Sequence, residues 1–580
     1  MAASLPLARP AQRPSPAPRR WPTFALVFAV AVAALSLLPY LLAYLWAPPG
    51  HHFTGFFFIA DDATTYLAKM REGADGSWLW NDPYTSEPHG GVFLFSFYLL
   101  FGHLAALLHL PLIAAYHLAR VSGAIALVIA VDRLCRRLLP PELRRLGLVL
   151  VILGSGAGFL AQVLGNPSLF GTRIEALDLH LPEISGWYSI LAIPHFAWAT
   201  ALIISALLGL LRITDAPAWR PVAWTSAALI ALTAIHPQMI PVLGLIWIAY
   251  QGVLIAWGAR PSIGSLVAQA APFLATGPLL VYNAWILFRD PTIAEWARQW
   301  RHQAPGPISL VVSLGLPLLL AGVGFTVAWR HRDRGLAVML VWPPLVVALL
   351  YLPNLANIQR RLLDALYVPI GMLAAVGLRE LTSRMRRARA RRIEAVLVTI
   401  CCFSSTVVLA IALRFASGAF SEAYVGDDAW RAMQWLSAHH QTDDRALSSP
   451  GAGQLLPAWA GVQVYVGHYS ETLDYFQKIR NVDAVFQPGE PEATVRAFLH
   501  DNGITLIYWS PAEAATGFQP ATRPYLQLVH QDGTVAIYRV SGYTSTWAGS
   551  RAVGRHRHGA VSIHPRAPSS GVDGRGGSGC

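Results

Sequence analysis

The chain has 580 residues, 54% hydrophobic and only 13% charged, with a formal net charge of +12. So little charge cannot cover a soluble globule of this length, which leaves a protein that crosses a membrane many times. Lys69 and Lys478 are the only lysines, and the arginines sit in short clusters between apolar runs rather than along one face, a pattern of membrane topology that excludes nucleic acid as a partner.

In chain order, a basic, proline-rich segment 1–21 (Arg9, Arg13, Arg19, Arg20) leads into the apolar run 22–46. That run is too long for the core of a cleaved signal peptide and reads as a retained first span. Further runs long enough to cross a bilayer lie near 112–134, 145–164, 194–212, 222–236, 239–258, 265–288, 308–329, 335–352, 363–380 and 394–414, with the short run 222–236 joined to its successor across "HPQM". The run 92–110 is ambiguous, and charge decides it. With the N-terminus inside, "DRLCRRLLPPELRR", "RITDAPAWR", "WRHRDR" and "RMRRARARR" all fall on the cytoplasmic side only if 92–110 does not cross. It is therefore read as an interfacial or re-entrant helix on the outer face, giving eleven spans within 22–414, a first outer loop at 47–111 and the C-terminus outside. Beyond 414 the composition changes. Residues 415–542 read as an extracytoplasmic α/β domain, with helices in "DDAWRAMQWLSAHH" and "PEATVRAFLHDNG" and strands in "ITLIYWS" and "TVAIYRV". The Gly-, Ser-, Arg- and His-rich tail 543–580 has no apolar periodicity and reads as disordered. Cys135, Cys401, Cys402 and Cys580 form neither a disulfide framework nor a metal-ligand spacing.

The polar landmarks gather at the outer ends of the spans. Asp61 and Asp62 stand just before "ATTYLAKMREG", whose apolar residues recur at helical spacing. An Asp there caps free N–H groups and suits the helix dipole, but one carboxylate is enough for a cap. A pair in a poorly solvated cleft can instead hold a divalent cation (Mg or Mn) or remove a proton from an acceptor hydroxyl. Lys69, Glu87 and His89 share that loop, and Lys69 suits phosphate or lipid headgroups. Glu183 in "LHLPEISGW", His195 in "IPHFAW" and His236 in "AIHPQM" can bind sugar hydroxyls or anchor the interface. Arg360 and Arg361 in "NIQRRLLDALYVP" break the charge bias of the outer face, and they suit bidentate contact with phosphate oxygens or snorkelling to headgroups. Tyr465, His468, Tyr469 and Glu471 form an aromatic, polar patch in the C-terminal region that fits either sugar stacking or a buried strand. No phosphate-cradling loop, dinucleotide fingerprint, zinc-protease motif or nucleophile elbow is present.

The segment "ADDATTYLAKMREGADGSW" (60–78), followed by "GVFLFSFYLLFG", resembles the first outer loop of the GT-C superfamily of membrane glycosyltransferases. The likeness lies in a D-D pair after a first span, an aromatic residue at Tyr66, a basic amphipathic helix and a G-x-W. It implies the fold of an α-helical polytopic membrane protein with an extracytoplasmic C-terminal domain, a sugar donor on a polyprenyl phosphate, and transfer to a glycan, lipid or protein acceptor on the outer face of the cytoplasmic membrane. Asp61 or Asp62 would then be the catalytic base or metal contact. "SEPHGG" (86–91) stands where the aminoarabinose-transferring members carry a K-P-P segment. The rival expectation is a transporter or flippase for a lipid-linked solute, against which stand the clustering of charge at one membrane face and the lack of internal repeats.

Overall fold

The computed structural model describes residues 23–299, 301–352, 358–419 and 423–541. The basic segment 1–21, the tail 543–580 with Cys580, and residues 354–357 of the segment before Arg360 lie outside the described residues.

All eleven apolar runs are helical. In chain order the helices are α1 (Thr23–Leu45), α2 (Ala60–Ala74), α3 (Ser96–Leu107), α4 (Leu112–Leu138), α5 (Arg144–Leu153), α6 (Gly158–Val163), α7 (Gly186–Leu191), α8 (Pro194–Asp215), α9 (Trp219–Ile235), α10 (Met239–Ala256), α11 (Ile263–Leu274), α12 (Gly277–Arg289), α13 (Pro291–Gln299), α14 (Pro307–Arg330), α15 (Ala337–Leu350), α16 (Tyr367–Thr382), α17 (Arg387–Cys401) and α18 (Phe403–Arg414). Among the described residues, seven stretches are long and apolar enough to cross a membrane singly, and two bent pairs raise the number to 9: α11 with α12 (40°) and α17 with Phe403–Gly418 (45°). The remaining two runs expected to span are α9 and α15, with 17 and 14 residues. At 1.5 Å per residue they reach about 26 and 21 Å, short of a hydrocarbon core of about 30 Å. Helix α3, on the ambiguous run, has 12 residues, about 18 Å, and is too short to cross alone.

Helix α2 is amphipathic, and its inner face, Tyr66, Leu67, Lys69 and Met70, is buried. It lies against α3 with backbone nearly touching backbone. A Cβ on Gly73 would sit 2.2 Å from the Leu99 carbonyl oxygen, and one on Gly102 would sit 2.0 Å from that of Met70. Only glycine permits this approach, and it fixes the height at which α2 presents its first turn.

Strand β1 (His51–Phe53), just after α1, pairs antiparallel with β4 (Tyr424–Gly426), so the first loop and the C-terminal region are joined at their bases. Between them in sequence, β2 (Ser168–Leu169) and β3 (Thr172–Arg173) make a small hairpin. The C-terminal region holds α19 (Asp427–His439), α20 (Pro450–Trp459), α21 (Tyr475–Val485) and α22 (Glu492–Asp501) around a sheet of β5 (Arg445–Leu447), β6 (Gln463–Val464), β7 (Leu506–Trp509), β8 (Leu526–Asp532) and β9 (Val535–Val540). The sheet order is β6-β5-β7-β9-β8, parallel across β6, β5 and β7 and antiparallel thereafter. Its core holds Val466, Val485, Phe486, Leu499, Ile507 and Phe518. Helix α22 ends as its sequence suggests, with Gly503 at φ +63°. The chain is thus an α-helical polytopic membrane protein with a sheet-containing α/β C-terminal region.

Candidate functional site

The first turn of α2 carries Asp61 and Asp62, and neither caps the helix. The N-cap position is Ile59 in the left-handed region (φ 51°), with no side-chain cap bond. The carboxylates face elsewhere. Asp62 Oδ1 lies 3.1 Å from Nε2 of His468, whose side chain is 1% exposed. On the other side of that ring, Nδ1 accepts from the Ser470 backbone N–H at 3.3 Å. This leaves Nε2 facing Asp62, at ion-pair distance but off the line of a good hydrogen bond. Burial pushes the Asp62 carboxyl up, but the His468 imidazole and the Arg361 and Arg360 guanidiniums outweigh it and hold the group below its ordinary value. Asp61 is exposed at the side chain, and its backbone carbonyl accepts from Gln454 Nε2 at 2.9 Å. Partial desolvation, opposed by His468 and reinforced by Asp62, raises its carboxyl. The two neighbouring acids are therefore unlike: Asp62 is firmly ionised and faces the arginines, while Asp61 faces outward.

The arginines come from a 3₁₀ turn (Gln359–Leu363) and their partner from another (Pro182–Ile184). Glu183 Oε1 sits 3.2 Å from Arg361 Nη1 and 3.4 Å from Arg360 Nε. Glu183 and Arg361 are buried, whereas the Arg360 side chain is 32% exposed. The Arg360 backbone N–H donates to the His302 carbonyl at 3.0 Å. Burial and the two guanidiniums lower the His302 imidazole to about 3, so it is neutral.

His195 and His236 lie deeper. Tyr66 follows Asp62 by one helical turn and stacks on Tyr98 (4.3 Å, 10°). The Tyr98 hydroxyl meets His195 Nδ1 at 2.6 Å, the His195 and His236 rings are 5.0 Å apart, and His236 Nδ1 lies 2.6 Å from Asp364 Oδ2, off the line of a good hydrogen bond. Together they form a buried polar floor beneath α2.

Three residues expected to contact substrate are placed otherwise. Lys69 is 1% exposed and spends its charge on Glu471 (Nζ to Oε1, 2.8 Å), between the rings of Phe95 and Trp80. It is too deep for headgroups. Trp296 Nε1 donates to the other Glu471 oxygen at 2.9 Å. Glu87 pairs with Lys478 at 2.7 Å. His89 accepts from the Asp82 N–H at 2.8 Å and donates to the Glu87 carbonyl at 2.8 Å, bracing the loop. With Arg71, which donates to the carbonyls of Ala458 and Trp459, these contacts clamp the C-terminal region onto the first loop.

Beside the clamp lies an open cavity of about 550 Å³ between α13, the Arg360 turn and the segment leading into α21. Arg301, His302 and Arg360 line one wall, and Tyr469, Tyr475, Phe476 and Arg480 the other. Of these the sequence singles out Arg360, as a phosphate contact, and Tyr469, as part of the aromatic patch. His468 had been visible only as part of a patch, since "VYVGHYSE" reads equally as a strand and turn.

Among the described residues no group of three His, Cys, Asp or Glu side chains is arranged to hold a metal ion. Asp61 and Asp62, the pair that suits a divalent cation by sequence, have no third such side chain grouped with them among the described residues.

No family model matches the chain, and no curated protein matches it in sequence. Solved structures do. The chain is similar to the Archaeoglobus fulgidus oligosaccharyltransferase tethered with an acceptor peptide containing the NVT sequon (11% identity, TM-score 0.53, covering 84% of this chain and 69% of that one). It is similar to ArnT from Cupriavidus metallidurans bound to undecaprenyl phosphate (12%, 0.52, 90% and 99%). It also resembles the arabinofuranosyltransferase AftD from mycobacteria (18%, 0.51), covering 90% of this chain and 42% of that one. At such identities the likeness is one of fold alone.

Proposed function

We propose that this protein is an inverting membrane glycosyltransferase that takes a sugar from a polyprenyl-phosphate donor and passes it to an acceptor hydroxyl at the outer face of the cytoplasmic membrane. One observation carries the reading. Asp62, Glu183, Arg360 with Arg361, and His468 belong to four segments far apart in sequence, yet contacts link them: His468 faces Asp62, Glu183 holds both arginines, the arginines' charge acts on Asp62, and Arg360 lines the cavity. The complexes of similar folds with undecaprenyl phosphate and dolichol-phosphate support a lipid phosphate as the donor's carrier.

In this reading the donor phosphate draws Arg360 away from its long 3.4 Å contact with Glu183, and Arg361 stays to hold Glu183 in place. Asp62 accepts the hydrogen bond of the acceptor hydroxyl. The hydroxyl oxygen attacks the anomeric carbon, the bond from that carbon to the phosphate oxygen breaks, and the polyprenyl phosphate leaves with its negative charge facing the guanidiniums. Asp62 is a weak base because its carboxyl is held low. It therefore takes the proton late, once bond formation has made the hydroxyl acidic. A divalent cation would need the donor's own phosphate oxygens to complete its shell around Asp62; no step here runs through one.

Transfer of radiolabelled sugar from synthetic polyprenyl-phosphate donors, measured in membranes carrying the full chain, tests this. The Asp62→Asn variant should fold and bind undecaprenyl phosphate yet transfer at least about 100-fold more slowly. Unchanged transfer would discard the assignment, and donor movement across vesicles without transfer would favour a flippase.

A further inference from the structure

The cavity that Arg360 and Tyr469 line has walls that differ in origin and chemistry. The inner wall is contributed by α13 and the Arg360 turn, and the outer wall by the C-terminal region. On the outer wall, Tyr469 is 61% and Phe476 74% exposed, with Tyr475 set edge-on to Phe476 at 5.4 Å. Large rings left open to solvent around a polar cavity suit the faces of sugar rings, which are apolar on one side and hydroxylated at the rim.

Charge narrows the class. Of the two carboxylates on the lining, Glu295 is already taken by Arg298 at 2.5 Å, which leaves Asp474 against the three guanidiniums of Arg301, Arg360 and Arg480. Arg301 and Arg480 have no carboxylate partner among the described residues, and Arg480 is held only by Gln477 Oε1 at 2.6 Å. Two unpaired guanidiniums facing one space are arranged for phosphate or carboxylate oxygens. A peptide acceptor entering as an added strand would need an exposed sheet edge. The cavity is lined instead by helix and turn, and the nearby β6 edge is occupied by the loop, with Val464 N–H donating to the Pro83 carbonyl.

Resting on the glycosyltransferase reading, we propose that this cavity is the acceptor site and that the acceptor is an oligosaccharide bearing an anionic group, stacked on Tyr469, Tyr475 and Phe476 and held by Arg301 and Arg480. The donor's phosphate stays on the Arg360 side, and the acceptor hydroxyl reaches Asp62 past Tyr469.

Photocrosslinking of the full chain in its native cells tests this, with benzoylphenylalanine in place of Phe476. The same probe in place of Phe288, which is 91% exposed on α12, serves as the lipid-facing control. The expected adduct at 476 carries an oligosaccharide with phosphate or uronate, and Arg301→Gln with Arg480→Gln reduces it at least about tenfold while undecaprenyl phosphate binding is kept. An adduct with a single-sugar polyprenyl phosphate would make the cavity the donor's site. A peptide adduct, or none while position 288 labels lipid, would overturn the proposal. Crosslinking reports occupancy whether or not sugar is transferred. Loss of this site and failure of Asp62→Asn to stop transfer are therefore separate results.

Discussion

His468 Nε2 lies 3.1 Å from Asp62 Oδ1, so the C-terminal region sets the carboxylate on which the proposed chemistry depends. A hydrogen bond to a charged group, which this contact becomes once the pair is drawn into line, is worth about 1.5–3 kcal/mol, or roughly 10–150-fold in rate if it matters in the transition state. His468→Ala should lose that factor in turnover. His468→Gln, whose amide can donate from nearly the same place, should recover much of it. Equal loss in both, with thermal stability unchanged, would show that the imidazole does something other than orient Asp62.

Lys69 and Glu471 form a buried ion pair between residues 402 apart in sequence. Breaking one side of such a pair leaves an uncompensated buried charge, at a cost of about 3–5 kcal/mol. Lys69→Met or Glu471→Leu alone should lower the melting temperature in detergent sharply. The double variant should regain most of the loss, and the coupling measured in a double-mutant cycle checks it.

Glu72 is pushed by burial from 4.5 to about 8, with the Asn81 N–H bonding its carboxylate at 2.9 Å. A raised acid binds its proton more tightly when folded. Its contribution is whole below about 4.5, the ordinary value, and drains away as pH climbs through about 8. Glu72→Gln should therefore be near neutral at pH 4.5 and stabilising at pH 8.5. Melting curves at both values decide; a gain of the same size at both would mean that the effect is not the titration of Glu72.

Gly102 leaves a would-be Cβ 2.0 Å from the Met70 carbonyl. Gly102→Ala must push α3 from α2, at about 1–3 kcal/mol or more, and should lower both stability and transfer. Substituting Gly264, where a Cβ would meet nothing, should do neither.

Much of this architecture was legible because the bilayer enforces it: apolar runs must become helices, and arginine clusters mark one face. Asp62, Glu183 and the arginine pair stood out because charge beside apolar runs needs a local reason. What the sequence concealed was nonlocal. Asp61 and Asp62 suggested a cap, yet backbone geometry gives the N-cap position to Ile59. Lys69 suited phosphate because it sits on the amphipathic helix just after the acidic pair; the acid that takes it, Glu471, lies in another region of the chain. β5 and β6 have three and two residues, too short for alternation to register.

His468, Tyr469, Glu471 and Phe476 share one short stretch that touches the carboxylate, opens the cavity and locks the two parts of the molecule together. Under the proposed function, a chimera built to change the acceptor could not trade Tyr469 and Phe476 for other residues while shifting their backbone, because Glu471 must still find Lys69 and Trp296. Retargeting is feasible only with the lock left in register, by side-chain exchange at Tyr469 and Phe476, and transplanting a whole foreign C-terminal region should yield a protein that folds in two halves and joins no sugars.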